Sequence, residues 1–89
     1  MARVSLASFL SNACPSRGGD FPGGTVAEVL GELFALHPVL RSYVVDDQGE
    51  VRKHVTVCLD STPIRDRERL SDPVRPDSEI FIMQALSGG

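Results

Sequence analysis

One amphipathic helix in the middle of the chain constrains the fold most, because its single apolar face must be covered by other elements. Thr25 is placed to cap the helix N-terminus, and Glu28 follows three residues later as in a capping box. Apolar side chains then recur on one stripe at helical spacing: Val26, Val29, Leu30, Leu33 and Phe34. The helix is expected to end at His37, because a following proline disfavours helical backbone angles. The sequence therefore predicts one helix of about 11–13 residues that packs by one face.

The segments on either side of this helix have the two-residue period of strands. Near the N-terminus Val4 and Leu6 alternate with small residues, and a weak second strand is expected around Phe21, among glycines and prolines. After the helix, residues 43–45 and 51–59 alternate across a turn rich in Asp and Gly, which predicts a half-buried antiparallel hairpin. The charged segment 64–70 is interpreted as a solvated connection.

An apolar run at residues 80–85 predicts the final strand of the sheet. Alternation places Ile80 and Ile82 on one face of that strand and Phe81 and Met83 on the other. The β-branched pair is the better inner pair, because β-branched side chains pack well on a pleated surface. Phe81 and Met83 are then predicted to form an exposed apolar patch that binds a partner.

The four residues after this strand, Leu86, Ser87, Gly88 and Gly89, are predicted to be a flexible tail. Glycine has no Cβ, so the last two residues can pass through a channel too narrow for a side chain. The α-carboxylate of Gly89 has an ordinary pKa of about 3.3–3.7 and is ionised at neutral pH. A tip of this kind suits insertion into another protein's active site. The alternative is a frayed terminus, because terminal residues are commonly disordered.

Charge and cysteine content exclude several classes of function. A formal net charge of −3 and a pI near 5.2 argue against a nucleic-acid partner, which requires a concentrated basic face. Cys14 and Cys58 lie far apart in the sequence and form no metal-ligand cluster, so no metal site is predicted. A chain this poor in cysteine is typical of the cytoplasm, and no stretch approaches the roughly 20 apolar residues of a membrane span. Cys58 falls on the more polar face of its strand and is interpreted as an inert side chain.

No catalytic constellation emerges from the sequence. The nucleophile motif Gly-x-Ser-x-Gly and the metalloprotease motif His-Glu-x-x-His are both missing, and His37 has no second ligand nearby in the sequence. The glycine-rich stretch before the helix lacks the lysine of a phosphate loop. The chain is therefore not expected to be an enzyme or to bind a cofactor of its own.

The sequence resembles the MoaD/ThiS family of ubiquitin-like sulfur carriers over roughly residues 2–89. The residues that carry the resemblance are the run Gly23-Gly24-Thr25-Val26-Ala27-Glu28-Val29-Leu30, His37-Pro38, Leu70-Ser71-Asp72-Pro73-Val74, Glu79-Ile80 and the terminal Gly88-Gly89. The resemblance implies an α+β fold, the ubiquitin-like β-grasp, with a mixed four- to five-stranded sheet over one main helix. It implies a β-grasp domain at residues 1–85 and a flexible Gly-Gly tail at residues 86–89.

The resemblance also implies a function that depends on the tail. The carboxylate of Gly89 would be adenylated by a ubiquitin-activating-type enzyme, and Leu86, Ser87 and Gly88 would thread into that enzyme. ATP and Mg would be supplied by the enzyme, with no cofactor bound by this chain. A sulfur donor would then convert the adenylate to a thiocarboxylate, which delivers sulfur to a biosynthetic enzyme that makes molybdopterin, thiamin, cysteine or a secondary metabolite.

Two departures from the family pattern weaken the assignment to one pathway. The turn before the last strand reads Pro76-Asp77-Ser78-Glu79 where many members have Asp-Gly-Asp-Glu, and Gln84 stands near where many have proline. The segment 51–65 resembles the CysO-like carriers more than the others. Two alternatives remain open: a ubiquitin-like protein modifier that forms an isopeptide bond through Gly89, and a β-grasp interaction module without tail chemistry.

Overall fold

The computed structural model describes residues 1–10 and 18–84 of the chain. The predictions for Cys14 and for the tail residues Leu86, Ser87, Gly88 and Gly89 lie outside the described residues.

A five-stranded mixed sheet forms one layer of the molecule, which agrees with the four- to five-stranded sheet that the resemblance implies. Its strands are β1 Ala2–Leu6, β2 Gly18–Phe21, β3 Val55–Leu59, β4 Thr62–Pro63 and β5 Glu79–Gln84, in the spatial order β2-β1-β5-β3-β4. Strands β1 and β5 are parallel, and the other neighbouring pairs are antiparallel. The last strand of the described chain is therefore the central strand of the sheet.

The predicted helix is α1, Val26–Leu36, and its apolar stripe lies in the core. The Thr25 hydroxyl accepts a hydrogen bond from the Glu28 amide at 3.2 Å, as predicted for the cap. The return bond differs from a capping box, since the Glu28 carboxylate accepts from the Gly24 amide at 2.8 Å. Gly23 lies so close to the first turn that a Cβ there would meet the Val29 amide nitrogen at 2.8 Å. Only glycine fits at this position.

A second helix, α2 Pro38–Val44, contradicts the prediction of a strand at residues 43–45. Pro38 ends α1 but also stands at the start of α2, where its fixed φ suits a helix and its missing N–H costs nothing. Leu40 and Val44, one helical turn apart, are buried against the core. The β-branched residues of this segment suggested a strand, but burial of this pair outweighs the weak local preference.

The prediction of a hairpin with its turn at residues 46–49 is also wrong, because far fewer residues pair there than predicted. The pairing is reduced to an isolated bridge between Val45 and Val51. The continuous hairpin lies further along, where β3 and β4 are joined by Asp60 and Ser61. Both residues have positive φ, at 51° and 71°, which matches a tight two-residue hairpin turn.

The charged segment 64–70 is not simply a solvated connection, because Ile64 and Leu70 at its ends are buried in the core. The carbonyl of Leu70 accepts a hydrogen bond from the Ala27 amide at 2.8 Å, and the carbonyl of Asp72 accepts from the Val26 amide at 3.0 Å. These amides belong to the first turn of α1 and have no partner within the helix. The segment therefore completes the N-terminus of α1.

Candidate partner-binding face

The central strand β5 has one buried face and one open face. The side chains on its buried face are Ile80 and Ile82, as predicted. Ile80 is 1% exposed and Ile82 is fully buried. Ile80 lies opposite Val4 of β1, and Ile82 lies opposite Val57 of β3. Strand β5 is paired on both sides, with β1 and with β3, so the sheet holds it in place.

The opposite side of the strand carries Phe81, which is 38% exposed, and Met83, which is half-buried. These are the two residues predicted to form a partner-binding patch, and the structure places them on the same open surface. A shallow groove of about 370 Å³ runs across this surface, which we call the outer face. The groove is lined by Ser5, Cys58, Asp60, Ser61, Glu79, Ile80, Phe81 and Met83.

Asp60 and Glu79, both in the lining of the groove, form an acidic corner of the outer face. The Asp60 carboxylate accepts a hydrogen bond from the Glu79 amide at 2.9 Å, and the Asp60 amide donates to the Glu79 carbonyl at 2.8 Å. Arg75 lies 3.9 Å from the same carboxylate. Sequence reasoning missed this corner because Asp60 and Glu79 are far apart in the chain. The two residues meet only when β3 and β5 pair.

Cys58 lies in the middle of the outer face, between Phe81 on β5 and Pro63 on β4 in the strand register. The alternation predicted this orientation, but the side chain is buried by its neighbours and only 8% exposed. Its thiol is free. This position fits the interpretation of Cys58 as a small packing residue of the sheet.

The last described residue of β5 is Gln84, which lies opposite Val55 at the beginning of β3. The predicted attachment residue Gly89 and the threading residues Leu86, Ser87 and Gly88 follow it and lie outside the described part of the chain. Their roles stay predictions.

No group of three or more His, Cys, Asp or Glu side chains within residues 1–10 and 18–84 could hold a metal ion. None of the helices in these ranges is long and apolar enough to cross a membrane.

Solved structures with the same fold include proteins from bacteria and archaea. A chain of the Amycolatopsis orientalis BexX/CysO complex superposes with a TM-score of 0.85 at 19% identity, with 100% of both chains covered. CysO from Mycobacterium tuberculosis gives a TM-score of 0.84 at 17% identity, covering 97% of this chain and 100% of that one. SAMP1 from Haloferax volcanii gives 0.77 at 27% identity, covering 99% and 98% of the two chains.

No protein-family model matches the sequence, and no curated protein matches it significantly. The structural neighbours cover essentially the whole chain, and they include the CysO proteins whose subgroup the segment 51–65 resembles. The chain has the ubiquitin-like β-grasp fold and is similar in structure to CysO and SAMP1.

Proposed function

We propose that this protein is a sulfur carrier that transports sulfur as a thiocarboxylate on Gly89. The observation that carries the proposal is the position of β5 at the centre of the sheet, directly before the Gly-Gly tail. This central strand ends at Gln84 and is paired with β1 and β3. In this proposal the residues that follow Gln84 enter the active site of an enzyme.

The proposed chemistry follows from the low reactivity of a carboxylate. Its oxygen is a poor leaving group, so the Gly89 carboxylate first attacks the α-phosphate of ATP and releases pyrophosphate. Hydrosulfide then adds to the acyl-adenylate carbonyl and displaces AMP, which leaves a thiocarboxylate. If the donor is a persulfide, the product is an acyl disulfide, and a thiol must cleave its S–S bond to release the thiocarboxylate.

The catalytic groups for these steps belong to a partner, in this proposal a ubiquitin-activating-type adenylating enzyme that supplies ATP and Mg. This partner grips the β-grasp domain, residues 1–85, through Phe81 and Met83 on the outer face, and receives the tail, residues 86–89. The thiocarboxylate then passes to a biosynthetic enzyme in the cytoplasm. One similar structure is itself a complex of CysO with another protein, BexX.

A second candidate function is that of a ubiquitin-like modifier, favoured by the likeness to a Haloferax volcanii protein described as a small archaeal modifier protein. In that case a lysine amine of a target protein attacks the activated Gly89 carbonyl. The product is an isopeptide instead of a thiocarboxylate.

Intact-mass analysis of the protein from its own host distinguishes the two functions. Under sulfur-replete conditions we expect a fraction that is heavier by one exchange of oxygen for sulfur, located on the C-terminal peptide. Deletion of Gly88 and Gly89 should abolish this species and leave the melting temperature nearly unchanged, because a terminal tail buries little surface. If the only product is Gly89 joined to a lysine, the carrier function is wrong.

The docking role of the outer face is tested by Met83→Asp. A charge in the middle of an apolar contact is costly to desolvate, so we expect weaker activation by the adenylating enzyme with an unchanged fold. The matched control is Val39→Asp, because Val39 is also an exposed apolar residue but lies on α2. Equal activation of the two variants would contradict the assignment of the outer face.

A further inference from the structure

A glycine in the interior of α1 has no explanation within the folded chain. Gly31 is the sixth residue of the eleven-residue helix, and glycine there destabilises a helix by roughly 0.5–1 kcal/mol relative to alanine. A Cβ built on Gly31 meets no atom within 4 Å. By contrast, a Cβ at Gly18 would collide with the Val4 carbonyl oxygen. The fold requires glycine at position 18 but not at position 31.

The open space above Gly31 belongs to a groove of about 210 Å³ on the helix side of the sheet. We call it the helix groove, and its lining consists of Ala27, Leu30, Gly31, Phe34, Arg41, Val45, Gly49, Arg69 and Leu70. The floor is apolar, and the missing side chain at Gly31 leaves the helix backbone accessible there. A glycine in this position is typical of a site where another backbone approaches closely.

The charge of the helix groove is opposite to that of the protein. The chain carries a net charge of −3, but the groove lining holds two arginines, Arg41 and Arg69, and no acidic residue. Neither guanidinium forms an ion pair or a hydrogen bond with the described part of the chain.

Three carboxylates in the segments that line the groove bind groups of the chain itself. Glu28 accepts from the Gly24 amide, Asp46 accepts from the amides of Gln48 and Glu50, and Asp66 accepts from Ser71. Each of the three accepts from a donor no more than five residues away in the chain. The two arginines therefore remain available for an external anion.

We propose that the helix groove binds an acidic polypeptide segment of a partner protein, whose backbone passes over Gly31 and whose carboxylates pair with Arg41 and Arg69. Arginine suits this role because its planar guanidinium donates two parallel hydrogen bonds to a carboxylate. Apolar side chains of the segment rest against Phe34 and Leu70. The groove lies on the helix side of the sheet and shares no lining residue with the outer face. The inference is thus independent of the tail chemistry.

The test begins with selection from a random peptide library displayed on phage, with the intact protein as the target. We expect enriched peptides to combine Asp or Glu with apolar residues. A synthetic peptide of the enriched sequence should shift the amide resonances of Ala27, Gly31 and Leu70 in a saturable NMR titration. The absence of enrichment, enrichment without acidic residues, or shifts confined to the outer face would overturn the proposal.

Variants of the groove then test each contact. Arg41→Gln and Arg69→Gln should each weaken peptide binding about tenfold or more, which is the effect of losing one charge-assisted hydrogen bond in a binding site. Arg65→Gln, in the same loop but outside the groove lining, should bind as the wild type does. Displacement of the peptide by inorganic phosphate or a short RNA at similar concentrations would indicate a general anion site and would overturn the protein partner.

Gly31→Ala gives the most specific readout because its two expected effects have opposite signs. The unfolding temperature should rise, since alanine is the better helix former and its methyl group meets no clash. Peptide affinity should fall, because the same methyl group occupies the space of the approaching backbone. Unchanged affinity in this more stable variant would contradict a close backbone approach at Gly31.

Discussion

The helix α1 and the segment 64–72 pack against each other but are held in different ways. Helix α1 is held by apolar side chains at helical spacing that are buried in the core. Leu33, which is fully buried, is one of them. The segment 64–72 has buried apolar residues only near its ends, and its middle is held by charged side chains that bind backbone groups. Stabilisation by buried apolar side chains can be recognised in the sequence from their periodic spacing. Stabilisation by hydrogen bonds between charged side chains and the backbone has no periodic spacing and cannot be recognised in this way.

Two carboxylates organise the backbone of the segment 64–72. The Asp72 carboxylate accepts hydrogen bonds from the amides of Arg65 and Asp66, both at 2.9 Å. The Asp66 carboxylate accepts from the Ser71 hydroxyl at 2.5 Å and from the Arg69 amide at 2.9 Å. These bonds allow Leu70 to adopt a positive φ of 53°, which a leucine rarely occupies. The carboxylates of this segment therefore fix the conformation of its backbone and are not only solvent-exposed charges.

Arg67 connects the segment to the rest of the molecule. Its guanidinium donates to the Arg52 carbonyl at 2.6 Å, and its own carbonyl accepts from the Val51 amide at 2.9 Å. Arg52 in turn donates from Nε to the Ser42 carbonyl at 2.7 Å. This series of contacts joins the segment 64–72 to α2 through the residues before β3.

The largest effect is expected from Leu33→Ala in α1. The side chain is fully buried, so its truncation leaves a cavity and should lower the free energy of unfolding by about 2–5 kcal/mol. Leu36→Ala in the same helix is the control, because Leu36 is 68% exposed and its truncation should change stability by about 0.5 kcal/mol or less. Chemical denaturation measures both. Similar losses would show that α1 is not held by its buried stripe.

A smaller effect is expected from Arg67→Met in the segment 64–72. Methionine retains much of the apolar stem but leaves the Arg52 carbonyl without its charged donor, which should cost about 1–3 kcal/mol. The control is Arg65→Met, since the side chain of Arg65 is exposed and has no hydrogen-bond partner among the described residues. A loss for Arg67→Met no larger than that for Arg65→Met would mean that apolar contacts alone hold this segment.

The smallest effect concerns the pH dependence of stability that Asp66 contributes. The hydrogen bond from the Ser71 hydroxyl, followed by that from the Arg69 amide, lowers the pKa of the Asp66 carboxyl below its ordinary value of 3.8. Because the folded pKa lies below the unfolded one, the contribution is fully present above the unfolded pKa. It is lost as the pH falls through the folded pKa.

Asp66→Asn should therefore remove part of the acid sensitivity of the protein. The difference in free energy of unfolding between wild type and variant should be constant near neutral pH and should shrink as the pH falls below 3.8. Asp47→Asn is the control, because this exposed carboxylate accepts no hydrogen bond from the described residues. A pH-independent difference for Asp66→Asn would show that the charge of Asp66 does not stabilise the segment.

The elements predicted correctly share a local signal that is confirmed by their packing. The Thr25 cap and the apolar stripe predict helix α1. The alternation of side chains along β5 predicts that Ile80 and Ile82 face the core. The prediction of a strand at residues 43–45 is wrong, because the β-branched residues there favour a strand locally while the buried side of α2 favours a helix. The corner between Asp60 and Glu79 and the helix groove could not be predicted, since their residues come together only through strand pairing and helix docking.

By itself, the sequence determined the buried face of α1 and the orientation of the side chains of β5. These depend on the residue period and on the intrinsic properties of threonine, glycine and proline, which act over a few neighbouring positions. The class of fold and the proposed tail chemistry are what the resemblance to a known family implies. Only the tertiary structure decided that β5 is central, that residues 38–44 are helical and that Arg67 reaches the carbonyl of Arg52. The physical reason is that burial and long-range hydrogen bonds depend on which segments meet in space, and they outweigh local preferences of less than about 1 kcal/mol per residue.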